Sequence, residues 1–479
     1  MKNLKPEKVF YYFEEICRIP HVSFHTDMIR DYVEKFAVER GFRYVKDESG
    51  NIVIYKSASE GYESHDAVII QGHLDMVGAK EENSLHDFLN DPIIIDENAL
   101  EQGIITARGT TLGADDGIAV AYALAILDDD SLAHPPLEVV FTTNEEVGLL
   151  GATDFDCSLL SGRVMINIDS EEEGVFLMGS AGGMRLDVSI PVETIPVVSE
   201  TVTITVSGLK GGHSGDKIGT GRLSANVLIG RILGAVDDRY EVNLISVNGG
   251  VVDNAISEKC VAKLTVKNPE GIEALCDELQ NILKKEYIGI EDNISVFVEF
   301  SGKYSGNAID KNSFKKLLMA LKSMPQGVTA RNPKDISLVE TSLNLGIIRV
   351  DADGIRMGYS IRSSVESAKY ELADRLRYIT EYLGGTVNTS GIYPAWTYNP
   401  VSRVREVIGE IYKEQTGKEP VMKTIHAGLE CGIFYNRIPG LDIVSYGPDI
   451  YDIHTYDERM EAESVQRVYE LTKELLRRL

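Results

Sequence analysis

The first 185 residues alternate between short apolar runs, rich in β-branched residues, and longer stretches with helical spacing. AVIIQGHLD, LEVVFTTNEE and RVMINIDSE are each typical of a buried strand that ends in polar residues, and GIAVAYALAILDDD is typical of a buried helix. Such alternation indicates helices and strands layered around a mostly parallel sheet. We therefore predict an α/β domain with polar residues at the carboxyl ends of its strands, where ligands bind in such folds.

The pattern changes near Leu186. DVSIPVETIPVVSETVTITVSG alternates apolar and polar residues, as half-exposed antiparallel strands do. Helix and strand patterns follow twice in a similar coarse order, so residues 186–395 are predicted to be an inserted α+β domain with two similar halves. The α/β pattern then returns, and residues 1–185 and 396–479 are predicted to form one discontinuous domain.

Length and charge narrow the class of protein. A chain of 479 residues exceeds one ordinary core, which favours two domains. Its 74 acidic and 48 basic residues give a net charge of −26, which disfavours binding to nucleic acid or anionic membranes. The five cysteines form no CxxC pair, and the chain has neither a signal-peptide pattern nor an apolar run of membrane-spanning length. We expect reduced thiols and a cytoplasmic protein.

Histidine or acidic residues follow apolar runs in five separated segments. These segments are QGHLDMV, LGADDG, LEVVFTTNEEVG, INIDSEE and DIHTYDE. Imidazole and carboxylate groups are ligands for zinc and related cations. Together the segments favour a hydrolase that binds two metal ions.

In HLD, His73 and Asp75 point to the same side of a strand, so Asp75 could hold the second ring nitrogen of His73. Ordinary loop hydrogen bonds are the alternative. In GADDG, we interpret Asp115 as a carboxylate that bridges two metal ions. For Asp116 we favour a helix N-cap.

Glu145 and Glu146 follow the strand LEVVFTT, and adjacent residues point in different directions. One of the two carboxylates would bind metal and the other would take a proton from the metal-bound water. A solvated acidic strand end is the alternative. Asp169 follows the strand RVMINI in the same manner.

The motifs HLDM, TLGADDGIAVAYALAIL, FTTNEEVGLLGA, INIDSEEEGVFLMGSAGG, GLKGGHSGD, HAGLECGIF and SYGPDIYDIHTYDER resemble, in order, those of the cytosolic aminoacyl-histidine dipeptidases. That family belongs to the co-catalytic zinc aminoacylase and carboxypeptidase clan. The resemblance covers essentially the whole chain. It implies a catalytic domain with a large inserted lid domain, and two zinc ions per chain, with manganese or cobalt as alternatives.

The resemblance also implies a role for each site residue. Asp115 would bridge the two metal ions, Asp75 would orient His73, and Glu145 would be the general base. The remaining metal ligands are His73 and Asp169 for one ion, and Glu146 and His454 for the other.

On the substrate side, the resemblance implies that His213 of the lid stabilises the oxyanion and that Arg362 binds a substrate carboxylate. Asn254, His426 and Glu430 are further substrate-binding candidates. A lid of about 200 residues could supply His213 within one chain, so the protein is expected to be a monomer or a homodimer.

The expected activity is hydrolysis of Xaa-His or a broader range of dipeptides, with small peptides as the partners. The alternatives within the clan are a tripeptidase and an N-acyl amino acid deacylase. Outside it they are a catalytically silent metal-binding scaffold and a two-metal phosphoesterase. The phosphoesterase is disfavoured because the visible cationic anchors are single residues and do not form a phosphate-binding cluster.

Overall fold

The structure is a computed structural model that describes residues 1, 4–333 and 335–479. The chain forms two compact units. The first unit contains Met1–Ser180, Trp396–Thr424 and Leu429–Leu479. The second contains Ala181–Ala395 and Ile425–Gly428.

The helices are α1 (Glu7–Cys17), α2 (Asp27–Glu39), α3 (Glu97–Leu100), α4 (Ala114–Leu127), α5 (Leu150–Asp154), α6 (Ser214–Lys217), α7 (Ala225–Arg239), α8 (Ile272–Glu286), α9 (Lys311–Ser323), α10 (Glu366–Tyr382), α11 (Arg403–Thr416), α12 (Glu430–Arg437) and α13 (Ala462–Arg478).

The strands are β1 (Arg43–Lys46), β2 (Ile52–Lys56), β3 (Val68–His73), β4 (Ile104–Thr106), β5 (Leu137–Thr142), β6 (Val164–Asn167), β7 (Val175–Ser180), β8 (Gly182–Ile190), β9 (Thr194–Ser207), β10 (Gly212–His213), β11 (Val242–Gly249), β12 (Ala255–Ile256), β13 (Cys260–Val266), β14 (Ser295–Ile309), β15 (Gly327–Arg331), β16 (Val339–Asp351), β17 (Gly354–Ser363), β18 (Thr386–Tyr393), β19 (Val421–Ile425), β20 (Asp442–Ser445), β21 (Ile450–Tyr451) and β22 (Arg459–Glu461).

The main sheet of the first unit has the order β1-β2-β5-β3-β6-β20-β7-β19. Its centre is parallel, because β3 pairs in parallel with β5 and β6, and β20 pairs in parallel with β6. The edge pairs β1–β2 and β7–β20 are antiparallel. Helix α4 is buried at every residue except Asp115, which explains its nearly continuous apolar sequence. The predicted α/β class is confirmed.

The second unit is built on one antiparallel sheet with two halves of the same topology. Apart from the short elements α6, β10, β12 and β15, each half contains, in chain order, a strand, a helix, two strands, a helix and a last strand. These strands lie in the spatial order 4-1-3-2. These halves are β14-β9-β13-β11 and β18-β8-β17-β16. The first half is inserted between β8 and α9 of the other, and β11 pairs with β16 to join them.

Each unit has its own hydrophobic core. In β9, Val202, Ile204 and Val206 are buried at every second position, as the alternating pattern predicted. The change of unit after Ser180 falls between β7 and β8, five residues before the predicted boundary. In the described part of the chain, no helix is both long and apolar enough to cross a membrane.

Candidate active site

The ends of the central parallel strands in the first unit bring acidic and histidine side chains together. His73 is the last residue of β3 and is buried. Its Nε2 atom lies 3.2 Å from Asp115 Oδ1 and 3.8 Å from Asp169 Oδ1. Asp169 follows β6, the parallel neighbour of β3, so these ligands meet because adjacent parallel strands end at the same edge of the sheet.

Asp115 lies between two imidazole rings. Its Oδ1 atom faces His73, and its Oδ2 atom lies 3.1 Å from His454 Nε2. His454 Nε2 also lies 3.0 Å from Glu146 Oε1. A carboxylate that presents one oxygen to each of two histidines has the arrangement of a ligand shared by two cations.

The loop that carries His454 has an unusual backbone. His454 has φ +63° and Asp452 has φ +53°, in the left-handed region that costs energy for residues other than glycine. Such conformations persist where surrounding contacts hold them, and they concentrate at functional sites. The imidazole of His454 is therefore directed at Asp115 and Glu146 by a backbone that its own sequence does not favour.

Asp75 holds the second ring nitrogen of His73 through its backbone carbonyl, and its carboxylate has other partners. The backbone carbonyl of Asp75 lies 2.9 Å from His73 Nδ1, whereas its carboxylate oxygen Oδ1 lies 3.7 Å from that nitrogen. The carboxylate instead accepts hydrogen bonds from the backbone N–H groups of Glu145 at 2.9 Å and Glu146 at 3.3 Å, and from Ser23 Oγ at 2.8 Å. The chain turns after β3, so the carbonyl orients the ring and the side chain positions the glutamate pair.

The N-cap prediction for Asp116 is wrong. Gly113, with φ +73°, is the N-cap of α4, and the dihedral angles at Asp115 and Asp116 are not helical. Asp116 is therefore turned into the core, where Oδ2 accepts a hydrogen bond from the His73 backbone N–H at 3.1 Å. A Cβ at Gly72 would lie 2.7 Å from Asp116 Oδ2, so this close approach requires glycine.

The charges of this cluster are unbalanced without cations. Burial alone would lower the pKa of His454, but Asp115 and Glu146 outweigh it and raise that pKa to about 11. Burial and the nearby Asp115 raise the pKa of Glu146 to about 7, and burial raises that of Asp169 to about 6. These pKa values rise because burial and neighbouring negative charges disfavour the ionised form of each carboxylate. Cations bound here would favour the ionised form.

The donor set fits metal ions. Three sets of residues each offer ligand atoms that lie within 4.8 Å of one another inside the set. These sets are Asp115, Glu146 and His454; His73, Glu145 and Glu146; and His73, Asp116 and Asp169. Within the described residues, Asp169 Oδ2 is buried and has no hydrogen-bond partner. Asp116 is the less suitable ligand because the His73 N–H occupies its Oδ2 atom, whereas Asp115 faces both histidines.

Glu430, a predicted substrate-binding candidate, has a fully buried side chain. Its Oε2 atom accepts hydrogen bonds from Gln71 Nε2 at 2.5 Å and Thr142 Oγ1 at 2.6 Å. Asn167 Nδ2 donates to Gln71 Oε1 at 2.6 Å, so this polar network ties α12 to β3, β5 and β6. Gln71 and Asn167 each lie two residues before a candidate ligand. The network therefore supports the strand ends from within the core.

The second unit contains a separate, cationic cluster. Arg362 on β17 is 8% exposed, and its guanidinium donates to Tyr393 Oη at 3.0 Å and to His213 Nε2 at 3.3 Å. Among the described residues, Arg362 Nε is buried without a hydrogen-bond partner. A Cβ at Gly183 or Gly428 would collide with the Tyr393 ring, so two glycines let tyrosine reach the arginine.

His426 and Asn254 belong to the same unit. His426 Nε2 lies 2.7 Å from Ser342 Oγ, and burial together with Arg362 lowers the pKa of His426 to about 4. The backbone carbonyl of Asn254 accepts from Ser214 N–H at 2.8 Å, next to His213. The structure thus brings together every predicted substrate-side residue except Glu430.

Sequence reasoning missed Tyr393 and Ser342. Ser342 is the register partner of Arg362 across β16 and β17, which no local pattern could reveal. Tyr393 was visible only as the end of an alternating strand. Their contacts with Arg362 and His426 depend on strand register and on the return of residues 425–428 to the second unit.

Known proteins are similar to this chain along its whole length. The chain is 36% identical to the cytosol non-specific dipeptidase of Escherichia coli (strain K12), over 485 positions that cover 100% of this chain and 99% of that protein. It matches the crystal structure of the aminoacylhistidine dipeptidase from Vibrio alginolyticus with a TM-score of 0.87, 35% identity and coverage of 100% and 98%.

A tripeptidase from Staphylococcus aureus has a TM-score of 0.55 at 15% identity, covers 99% of this chain and 98% of its own, and bears on the fold alone. The resemblance to the aminoacyl-histidine dipeptidases is confirmed. The model of peptidase family M20/M25/M40 matches residues 69–478. The chain therefore belongs to peptidase family M20/M25/M40.

Proposed function

We propose that this protein is a metal-dependent dipeptidase. The observation that carries the proposal is the carboxylate of Asp115, which is shared between His73 and His454 at 3.2 and 3.1 Å. The names of two full-length relatives, a non-specific dipeptidase and an aminoacylhistidine dipeptidase, support dipeptides as substrates. One name implies a broad range of dipeptides and the other implies Xaa-His dipeptides, so we propose both Xaa-His and other dipeptides as substrates.

Two zinc ions suit the mixed imidazole and carboxylate ligands, with manganese or cobalt as alternatives. Asp115 would contact both ions. The other ligands would be His73 and Asp169 for one ion, and Glu146 and His454 for the second. Bound there, the cations would lower the pKa of a water molecule and polarise the scissile carbonyl.

Glu145 is the proposed general base. Its Oε2 atom lies 4.0 Å from His73 Nε2, at the margin of the cluster, whereas the adjacent Glu146 contacts His454. Glu145 would take a proton from the attacking water and pass it to the leaving amine. Asp75 supports both glutamates by accepting hydrogen bonds from their N–H groups.

Residues of the second unit are proposed to bind the substrate. Arg362 has a buried guanidinium with an unused donor, which suits a peptide carboxylate. His213 is proposed to stabilise the oxyanion, and Asn254 and His426 to contact the substrate nearby. Free cysteines and a relative named for the cytosol support a proposed cytoplasmic location, and we propose a monomer or a homodimer.

The test is a substrate panel on protein stripped of metal by a chelator. Xaa-His dipeptides, other dipeptides, tripeptides and N-acetyl amino acids would be assayed before and after single divalent ions are added back. We expect no hydrolysis in the stripped protein and restored hydrolysis of dipeptides with zinc, manganese or cobalt. Preferential cleavage of tripeptides or N-acetyl amino acids would contradict the dipeptidase assignment, and full activity without metal would contradict the metal dependence.

A further inference from the structure

Glu458 is a buried carboxylate that follows the exposed His454 loop. Its side chain is 2% exposed, although residues 454–457 directly before it are exposed. Oε2 accepts hydrogen bonds from the N–H groups of Leu112 at 2.8 Å and Gly113 at 3.0 Å. Oε1 accepts from those of Ala114 at 2.8 Å and Asp115 at 3.4 Å. One carboxylate thus binds four successive backbone groups.

Gly113, Ala114 and Asp115 are the N-cap and first residues of α4, whose N–H groups have no acceptors within the helix, and Leu112 directly precedes them. A negative charge is also stabilised there by the helix dipole. The backbone of Glu458 is held as well, because its carbonyl accepts from Thr106 Oγ1 at 2.7 Å. Hydrogen bonds to the Glu458 carboxylate therefore connect residues 112–115 with the segment 454–458. We call these four hydrogen bonds the Glu458 clamp.

The clamp joins two ligands that are 339 positions apart in the chain. Asp115 is the last of the four residues whose N–H groups are bound, and His454 lies four residues before Glu458. The positions of both side chains against Glu146 depend on how these two segments are joined.

We propose that Glu458 is a positioning residue that presets the metal site formed by Asp115, Glu146 and His454, and so sets its affinity for the ion. This inference rests on the proposed two-metal function. Backbone N–H groups occupy both carboxylate oxygens of Glu458, so we expect its loss to act on ion affinity and to leave the chemistry of the loaded protein largely intact.

Glu458→Gln removes the symmetry of the clamp. The amide nitrogen would replace one acceptor oxygen and point a donor at two backbone donors, which cannot bond to it. Glu458→Asp keeps the charge, but its side chain is one methylene group shorter, so the carboxylate lies farther from the four backbone N–H groups. Because residues that orient metal ligands typically contribute about 10- to 100-fold in metal affinity, we expect the dissociation constant of one of the two ions to rise by that factor in both variants.

The matched control is Glu138→Gln, also in the first unit. Glu138 is buried, and its carboxylate accepts from Ser161 N–H and Oγ and from Gly162 N–H, where it contacts no candidate ligand. We expect this variant to bind both ions as the wild type does, even if its thermal midpoint falls.

The experiment measures zinc binding to the stripped full-length proteins by competition with a chromophoric chelator, together with dipeptide turnover against zinc concentration. We expect turnover of Glu458→Gln to approach the wild-type value when zinc is saturating. If the glutamine variant does not fold, the aspartate variant decides. If the wild type binds two ions and the Glu458 variants bind them with unchanged affinities, this inference alone is overturned. Wild type that binds no ion would overturn the proposed function as well.

Discussion

The two polar clusters of this protein have opposite charge requirements. In the first unit, Asp115, Glu146 and Asp169 place carboxylate oxygens around two imidazoles, and burial and the nearby Asp115 raise the pKa of Glu146. In the second unit, Arg362 donates hydrogen bonds to Tyr393 and His213, and burial together with Arg362 lowers the pKa of His426. The first cluster is suited to cations and the second to an anion.

The difference lies in which groups the fold leaves unsatisfied. Within the described chain, the first cluster retains an unpaired carboxylate oxygen at Asp169, and the second retains an unpaired guanidinium nitrogen at Arg362. Buried polar groups without partners cost free energy, so each indicates what a bound species would supply. Under the proposed function, cations would complete the first set and the carboxylate of a peptide would complete the second.

The largest expected effect comes from removing the proposed general base of the first cluster. Glu145→Gln should lower kcat for dipeptides by about 10²- to 10⁴-fold, because a positioned general base contributes that much. Bound metal, measured by elemental analysis, should remain as in the wild type. Glu172→Gln is the control, since Glu172 is exposed and pairs with Lys423. Turnover near the wild-type rate in Glu145→Gln would exclude this role.

A second prediction concerns ion binding. His454→Ala removes an imidazole from Asp115 and Glu146, so zinc affinity should fall by more than the roughly 10- to 100-fold typical of residues behind the ligands. Competition with a chelator measures this change. His65→Ala, at an exposed histidine of the same unit, should leave the affinity unchanged. Equal affinities for both variants would remove His454 from the ligand set.

The third prediction tests the second cluster. Arg362→Ala should raise KM about 10- to 100-fold for dipeptides with a free carboxylate, because a hydrogen bond to a charged group contributes about 1.5–3 kcal/mol. The rise should vanish for substrates whose carboxylate is amidated. Arg356→Ala, on the same strand and exposed, is the control. An identical loss on amidated substrates would indicate a structural role for Arg362.

The smallest effect is a pH dependence. The pKa of His426 in the folded protein is about 4, below its ordinary 6.5, so its stabilising contribution is present above pH 6.5 and is lost as the pH falls through 4. Between pH 7 and pH 4, wild type should lose about 3 kcal/mol more free energy of unfolding than His426→Gln. Urea unfolding followed by circular dichroism at both pH values measures this. Parallel losses in the two proteins would contradict the burial of a neutral His426.

Much of the first cluster could be predicted from the sequence. His73, Glu146 and Asp169 each sit at or just beyond the end of an apolar strand, and parallel strands bring such ends to one edge. The role of Asp75 could not be predicted in the same way. Whether its carbonyl or its carboxylate faces His73 depends on a turn that strand periodicity does not describe.

The burial of Glu430 also could not be predicted from its local motif. The resemblance made Glu430 a substrate-binding candidate, but this residue begins α12 and its side chain is buried against Gln71 and Thr142. A local motif identifies a residue as polar, but only packing against β3 and β5 decides whether the residue meets solvent or core.

The order of hydrophobic and polar positions determined by itself that the protein has a parallel α/β unit and an antiparallel unit, since helix and strand periods are local properties. It also located the acidic and histidine residues at the strand ends. Only the tertiary structure decided which oxygen faces which histidine, and that Glu458 clamps Asp115 while Tyr393 holds Arg362. Those contacts join residues far apart in the chain, and their geometry depends on the packing of the whole unit.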